Sequence, residues 1–200
     1  MTTPFVVTIA RQFGSLGRPI ARTVSEAIGV EYYDRDIVEL AAQRLGLPVS
    51  TISTVEESAR STLFGMSEPL GAGTTLIQDE IFNAQRRIIL DLADRAPCII
   101  VGRCADHVLG ERPDVMKVFI YAPYAARLRN CVEQLHLDVA EAKHLISAVD
   151  KARESYQRHY CGYSMSNKEH KHLMLDSSLL GVEGTCAALE FIIRARFGLG

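Results

Sequence analysis

Residues 5–20 constrain the fold of this chain more than any other stretch, because they join an apolar run, a glycine-punctuated loop and an amphipathic segment. The apolar run predicts a buried strand. After the loop, Ile20, Ala21 and Val24 recur at the spacing of one helical face, and Gly29 stands where a left-handed helix end is expected. The stretch therefore predicts a strand, a turn and a helix whose N-terminus faces the loop.

The loop between that strand and that helix has the chemistry of an anion site. Backbone N–H groups of a glycine loop and a helix N-terminus converge on one point, and the helix dipole favours negative charge there. The loop resembles a phosphate-binding loop whose usual Gly-Lys-Ser/Thr ending is here Gly17-Arg18-Pro19. An ordinary strand-turn-helix, with glycines that serve only the turn, is the alternative interpretation.

Length and composition favour a single α/β domain. The chain has 200 residues, an apolar fraction of 48% and a net charge of −2, which is typical of a globular protein and argues against a nucleic-acid binder. The sequence contains no apolar run of membrane-spanning length, and its N-terminus does not resemble a signal peptide. The five cysteines include no C-x-x-C pair, so we expect reduced thiols and no structural zinc. Reduced thiols, with no signal-like or membrane-spanning segment, favour a cytoplasmic location and no membrane partner.

Strand-like and helical segments alternate along the chain. Strands are predicted at 5–10, 30–33, 97–101, 115–121 and 172–176. Further helices are predicted at 36–45, 75–94, 123–135, 138–160 and 182–196. The helix 75–94 is the clearest, because it carries an apolar stripe of Ile77, Ile81, Ala84, Ile88 and Leu92. This alternation predicts a doubly wound parallel sheet, in which ligands bind beyond the carboxyl ends of the strands.

Three polar clusters follow predicted strands, at the edge where such a sheet binds ligands. They are Tyr32-Tyr33-Asp34-Arg35, Gly102-Arg103 and Asp176-Ser177-Ser178. A glycine lets a ligand approach the backbone, and the planar guanidinium of Arg103 suits phosphate. For each cluster alone the alternative is a turn, a helix cap or a surface ion pair. Their common placement beside the glycine loop favours a ligand site.

Two segments are candidates for movement. Residues 60–74 are rich in glycine and serine and predict a mobile loop. Residues 127–165 combine cations with helical periodicity, and Asp150, Arg153 and Tyr156 lie near one helical face. The plain interpretation is a solvated charged helix. The alternative interpretation is a mobile lid whose cations close over a bound polyphosphate, because phosphoryl transfer depends on neutralising the negative charge of the transferred group.

The chain resembles the cytidylate kinase-like family, relatives of cytidylate kinase that carry a phosphate-binding loop. The matching segments run in order along nearly the whole chain: Arg11–Arg18, Tyr32–Asp34, Ala84-Gln85, Pro97–Asp106, Phe119–Pro123, Asp150–Arg153, Tyr156, Tyr160 and Asp176–Gly181. The resemblance implies one domain over residues 1–200, with the three-layer α/β fold of P-loop kinases, a central parallel sheet and a helical lid. It also implies transfer of the ATP γ-phosphate to a small-molecule nucleotide, CMP or dCMP, with Mg²⁺ as the accompanying ion.

The resemblance implies roles for particular residues. The donor phosphates would contact the loop at Arg11, Gly14, Ser15, Gly17 and Arg18. The acceptor nucleotide would be held by Asp34, Gly102 and Arg103. The catalytic cations would be Arg18, Arg103, Arg153 and Arg158. No metal ligand is assigned.

The loop departs from that of a genuine cytidylate kinase at three positions. The loop lysine is Arg18, the following Ser or Thr is Pro19, and the first glycine is Gln12. An arginine can hold phosphate oxygens bidentately, whereas Pro19 offers neither a hydroxyl nor an N–H group. Two alternatives therefore stay open: a non-catalytic nucleotide-binding sensor or scaffold, and a P-loop kinase for another small acceptor.

Overall fold

Five strands form one parallel sheet in the computed structural model, which describes residues 4–50, 72–110 and 112–200. The strands are β1 (Val6–Arg11), β2 (Glu31–Tyr33), β3 (Cys98–Val101), β4 (Val115–Tyr121) and β5 (Leu173–Asp176). Their order across the sheet is β2-β3-β1-β4-β5, and each neighbouring pair is parallel. The prediction of a parallel sheet is confirmed, and every strand lies where the apolar runs placed it.

Seven α-helices lie within the described residues. They are α1 (Gly17–Ile28), α2 (Asp36–Leu45), α3 (Ala72–Arg95), α4 (Ala105–Val108), α5 (Tyr124–Glu133), α6 (Val139–Cys161) and α7 (Ser177–Phe197). Helix α4 was not predicted, because four residues are too few to show a helical period. Helix α3 begins within the predicted mobile loop 60–74, and residues 60–71 of that loop lie outside the described residues.

Helices cover both faces of the sheet, so the three-layer prediction is confirmed. Helices α2 and α3 pack over the face that presents Val6 and Cys98. Helices α1 and α7 pack over the face that presents Val7 and Ile99. Because successive residues of a strand point to opposite faces, each central strand contributes to both layers of the core.

The predicted stripes of two helices are largely confirmed. In α1, Ile20, Ala21 and Val24 are fully buried, and Gly29 ends the helix with a φ of +69°. In α3, the stripe is buried at Ile81, Ala84, Ile88 and Leu92. Its first member, Ile77, is 40% exposed, so the buried part of the stripe begins one helical turn later than predicted.

The last of the three polar clusters supports the fold. The Asp176 carboxylate accepts a hydrogen bond from the backbone N–H of Ser178 at 2.9 Å and caps α7. The Ser177 hydroxyl donates to the carbonyl of Ser15 at 2.7 Å and to that of Tyr121 at 3.2 Å. The helix-cap interpretation therefore holds for Asp176 and Ser178, and Ser177 joins the glycine loop to the end of β4.

Two further observations bear on the class of protein. The cysteines at 98, 104, 131, 161 and 186 are free thiols, as expected from their scattered positions. Among the helices of residues 4–50, 72–110 and 112–200, the structure contains none that is long and apolar enough to cross a membrane.

The glycine loop is packed tightly against α5. Gly14 has a φ of +76°, and a Cβ atom there would lie 2.9 Å from both the Arg127 carbonyl oxygen and the Cys131 sulfur. The Asn130 side chain also donates a hydrogen bond to the Gly14 carbonyl at 2.9 Å. The loop therefore needs glycine at this position for its conformation and for its close contact with α5.

We expect Gly14→Ala to lower the free energy of unfolding by about 2–4 kcal/mol, since left-handed strain and overpacking both oppose the new methyl group. Gly29→Ala is the matched control, because Gly29 has a φ of +69° and a Cβ atom there would meet nothing within 4 Å among the described residues. The control should lose only about 1–2 kcal/mol. Urea unfolding measures both, and equal losses would contradict the packing argument.

Candidate functional site

Four arginine side chains line one cavity of about 250 Å³ at the carboxyl ends of β1 and β3. Arg11 ends β1, Arg18 lies in the first turn of α1, Arg103 follows β3, and Arg153 lies on α6. The topology brings them together, because β1 and β3 are neighbours in the sheet and α1 begins beside their ends. Four of the predicted site arginines therefore meet at the ligand edge of the sheet.

Asp34 compensates part of this positive charge. Its buried carboxylate lies 2.5 Å from Arg18 Nε and 3.5 Å from a terminal guanidinium nitrogen of Arg11. The Tyr32 hydroxyl donates to the same carboxylate at 3.4 Å. Burial and the negative charge of Asp34 raise the pKa of Tyr32 to about 12, so the phenol stays protonated and remains a donor to Asp34.

The arginines repel one another inside a poorly solvated space. Burial, and next the charge of Arg153, lower the pKa of Arg11 to about 9. Burial also lowers the pKa of Arg153 to about 10, with Arg18 and Arg103 acting in the same direction. Arg11 and Arg153 remain cationic at neutral pH, because both lowered pKa values stay well above 7. An anion that entered the cavity would remove part of the repulsion, so the site favours negatively charged ligands.

The side chain of Arg11 passes between two glycines. A Cβ atom on Gly17 would lie 2.8 Å from the Arg11 Cβ, and one on Gly102 would collide with the Arg11 guanidinium. Gly102 lines the cavity, so its predicted role of letting a ligand approach the backbone stays a prediction. Its lack of a side chain also makes room for the Arg11 guanidinium. Gly102 has a φ of +76°, which glycine adopts at little cost.

The segment after β3 is strained. Arg103 and Cys104 both have left-handed backbone conformations, with φ values of 56° and 53°. Such conformations are uncommon for residues with a Cβ atom and cluster at functional sites. Here they turn the chain so that Arg103 enters the cavity before α4 begins.

Helix α6 is connected directly to the glycine loop and to β1. The Asp150 carboxylate accepts a hydrogen bond from the backbone N–H of Phe13 at 2.8 Å and forms an ion pair with Arg127. Arg127 also donates to the Phe13 carbonyl at 3.2 Å, and Arg153 donates to the Arg11 carbonyl at 3.1 Å. The predicted face of Asp150, Arg153 and Tyr156 is therefore turned towards the site.

Other polar groups of the loop are committed to the fold. The Ser15 hydroxyl is buried and donates to the carbonyls of Gln12 at 2.9 Å and Ile120 at 3.2 Å. The Gln12 side chain accepts from the backbone N–H of Ala122 at 3.2 Å. Gly14, Ser15 and Gly17 belong to the adjacent loop and do not line the cavity. A ligand of the loop would meet its backbone rather than the Ser15 hydroxyl.

Arg158 lies apart from the four cavity arginines. It is an exposed residue of α6, and its Nε lies 2.6 Å from a carboxylate oxygen of Glu154, one turn earlier on the same helix. It is not part of the cavity lining. The structure thus separates the two arginines that the sequence analysis placed together in the lid.

The side chains of this site do not fit a metal held by the protein. Within the part of the chain that the structure describes, no three His, Cys, Asp or Glu residues are grouped so that they could hold an ion. Pro19 replaces the usual hydroxyl of the loop, and the Ser15 hydroxyl donates to carbonyls. Asp34 is already paired with two arginines.

Sequence reasoning missed four further residues of the cavity lining, which are Thr8, Asp106, Gln157 and Met165. Two signals were present in the sequence: Thr8 is a polar residue inside an apolar strand, and Gln157 follows Arg153 by four positions, which places both on one helical face. The partner of Asp106, Lys171, lies 65 residues away, and no local pattern predicts that contact.

Comparisons with known proteins agree with this architecture. The model of the cytidylate kinase-like family matches residues 6–179, and no curated protein matches the chain. An uncharacterized protein from Eubacterium ventriosum ATCC 27560 has a TM-score of 0.67 at 20% identity, over 96% of this chain and 98% of its own.

Two kinases of known structure share the fold. A shikimate kinase from Bacteroides thetaiotaomicron has a TM-score of 0.56 at 10% identity, over 95% of this chain and 98% of its own. A gluconokinase from Sinorhizobium meliloti 1021 has a TM-score of 0.53 at 13% identity, over 98% of this chain and 99% of its own. At these identities the likeness establishes the fold.

We expect Asp34→Asn to destabilise the protein by about 3–5 kcal/mol, because it leaves the buried guanidinium of Arg11 without its counter-charge. Asp91→Asn is the control: it breaks an Arg44–Asp91 pair of 2.7 Å whose side chains are each 46% exposed, and it should cost less than about 1 kcal/mol. Inorganic phosphate should recover part of the loss in Asp34→Asn. Thermal unfolding measures the stability of the two variants and the effect of phosphate. Similar losses of stability in Asp34→Asn and Asp91→Asn would contradict the charge argument.

Proposed function

The chain belongs to the cytidylate kinase-like family, and from this premise we propose that it transfers the γ-phosphate of ATP to a nucleoside monophosphate, with CMP or dCMP as the expected acceptor. One observation carries the proposal: four arginines line one small cavity, and Asp34 pairs with two of them. Phosphoryl transfer depends chiefly on positioning and on neutralising negative charge. The kinase fold of the structural relatives supports the same reaction class.

The arrangement suggests how donor and acceptor share the site. We assign the donor phosphates to the backbone N–H groups at the start of α1 and to the Arg18 guanidinium, because a helix N-terminus and a guanidinium both favour phosphate. Arg103 and Arg153 also line the cavity, and we assign them to the acceptor phosphate and the transferred group. Asp34 keeps Arg18 and Arg11 oriented through its two oxygens.

The acceptor needs no general base from the protein. A phosphate monoester is already largely ionised near neutral pH, so its oxygen can attack without losing a proton to a side chain. The protein's contribution is to bring two polyanions together against their repulsion. A planar guanidinium suits this task, because it can contact two oxygens at once.

Mg²⁺ is the expected companion of ATP in this family. Because the described side chains do not fit a metal site, we propose that nucleotide oxygens and water supply its ligands. The residues assigned here act on the phosphates directly, and none of their roles depends on contact with the ion.

A nucleotide-binding protein without catalysis is the second candidate function. Two observations favour it: Pro19 gives the loop no hydroxyl, and the Asp150 carboxylate already accepts the Phe13 N–H of the loop. The cations that face the cavity from outside the loop, Arg103 and Arg153, favour a kinase, since a binder has less need of groups that act in a transition state.

A coupled ADP-release assay separates these functions and also tests other small acceptors. ATP and Mg²⁺ are supplied with CMP, dCMP, the other nucleoside monophosphates and a set of small hydroxyl acceptors that includes shikimate and gluconate. We expect ADP release with CMP or dCMP well above the acceptor-free rate, with CDP or dCDP found by chromatography. ATP binding without transfer to any acceptor would contradict the kinase proposal.

Arg153→Ala tests the transition-state role directly. We expect kcat to fall by about 10²-fold or more while nucleotide Kd changes much less, because the charge that Arg153 neutralises grows during transfer. Lys151→Ala is the matched control, since Lys151 is exposed on the same helix and should keep kcat within about twofold. Equal kcat in wild type and Arg153→Ala would remove Arg153 from the mechanism.

A further inference from the structure

We propose that Cys104 and Cys161 form a peroxide-reactive thiol pair, whose disulfide fixes α6 to the segment after β3 and weakens nucleotide binding. Both residues are free thiols in the structure. Cys104 follows Arg103 directly and lines the cavity, and Cys161 is the last residue of α6. The effect of the disulfide on nucleotide binding rests on the proposed function, whereas the formation of the disulfide does not.

The two thiols contact each other although they belong to different elements. Their side chains are joined by a hydrogen bond. This hydrogen bond, and next burial, raise the pKa of the Cys104 thiol, so Cys104 keeps its proton and is the donor. Gly162 follows Cys161 and ends α6 with a φ of +77°. A glycine at this point lets the helix end adjust as the two sulfurs approach to the ~2.05 Å of a disulfide bond.

Contacts on both sides of the thiol pair hold the same two segments together. Gln157 Nε2, one helical turn before Cys161, lies 3.5 Å from the Asp106 carboxylate. Just beyond the helix, the rings of Tyr163 and His107 have centroids 6.0 Å apart. The thiols therefore meet because the end of α6 packs along the segment after β3, and not through one isolated side-chain rotamer.

Exposure determines the order of the reaction. Cys161 is partly exposed and Cys104 is buried, so a peroxide reaches Cys161 first. The thiolate sulfur of Cys161 attacks the O–O bond and becomes a sulfenic acid, while the other oxygen leaves as hydroxide and takes up the proton that Cys161 released. The Cys104 sulfur then attacks the Cys161 sulfur. The S–S bond forms, the S–OH bond breaks, and the departing hydroxide takes the Cys104 proton. Two thiols and one peroxide become one disulfide and two waters.

The disulfide would join two elements that both carry arginines of the cavity. Arg103 precedes Cys104, and Arg153 lies about two turns before Cys161 on α6. The cavity volume of about 250 Å³ is below the ~300–1,000 Å³ of ordinary ligand pockets, so a nucleotide requires these two elements to move apart. A hydrogen bond and a ring contact yield to such a movement, whereas a covalent bond does not. The disulfide therefore favours the smaller cavity over the nucleotide-bound form.

Oxidation of the wild-type protein with hydrogen peroxide tests the thiol pair. We expect the loss of two of the five thiols, the loss of two hydrogen atoms from the intact mass, and a peptide cross-link between Cys104 and Cys161 that dithiothreitol reverses. Cys186→Ala is the control, because Cys186 is buried on α7 and its removal leaves the pair intact. A folded wild-type protein that forms no disulfide, or that cross-links other cysteines, would overturn the proposal.

Dimedone, which traps sulfenic acids, tests the order of the two steps. In Cys104→Ala the sulfenic acid has no second thiol to attack it, so we expect dimedone to label Cys161. In Cys161→Ser we expect no label on Cys104, because the buried thiol does not meet the peroxide. Labelling of Cys104 in the folded Cys161→Ser variant would overturn the assignment of Cys161 as the reactive thiol.

Calorimetric titration with CMP measures the effect on the cavity. We expect the oxidised wild-type protein to bind CMP at least about tenfold more weakly than the reduced protein, with recovery after dithiothreitol. Cys161→Ser should bind CMP equally before and after peroxide treatment, and Cys186→Ala should respond as wild type does. Equal affinities of the oxidised and reduced wild-type protein would overturn the effect on binding.

These measurements separate the thiol pair from the proposed function. If the reduced protein phosphorylates CMP and peroxide forms no disulfide, the kinase proposal stands and the thiol pair fails. If the disulfide forms but the reduced protein binds no CMP, the thiol chemistry stands, while the proposed acceptor and the effect on its binding both fail.

Discussion

An excess of positive charge around the buried carboxylate of Asp34 is the constraint that organises this site. Burial lowers the pKa of Arg11 to about 9. The position of its side chain requires glycine at positions 17 and 102. A left-handed turn then directs Arg103 to the same cavity. Such an arrangement costs folding free energy without a ligand, and it becomes favourable when phosphate oxygens replace the missing counter-charge. The strain and the proposed binding of phosphate therefore have one cause.

Helix α6 joins the parts of the site through one face. Asp150 contacts the glycine loop, Arg153 contacts the end of β1, and Gln157 lies 3.5 Å from the Asp106 carboxylate. The helix is anchored to α3 by Tyr160, which stacks on Phe82 with ring centroids 4.0 Å apart. A ligand that displaced one of these contacts would act on the others, because a helix moves as a rigid body.

The sequence predicted the parts of the structure that depend on local patterns. Apolar runs located the strands, and periodicity identified the face of α6 that carries Asp150 and Arg153. Periodicity does not identify partners, however: Asp150 meets Phe13 across 137 positions. For the same reason Arg158 was grouped with Arg153, although its side chain pairs with Glu154 outside the cavity. Such contacts depend on how elements pack, which no local pattern records.

The central claim is that the arginine cavity binds phosphoryl groups as a compensating charge. Calorimetric titration of the wild-type protein with inorganic tripolyphosphate, at low and at high salt, tests it most directly. The account predicts a single binding event whose affinity falls as salt rises, because the cations are screened, and whose heat is lost when Arg11 and Arg153 are both replaced by methionine. No binding at low salt, or binding that survives the double replacement, would contradict it.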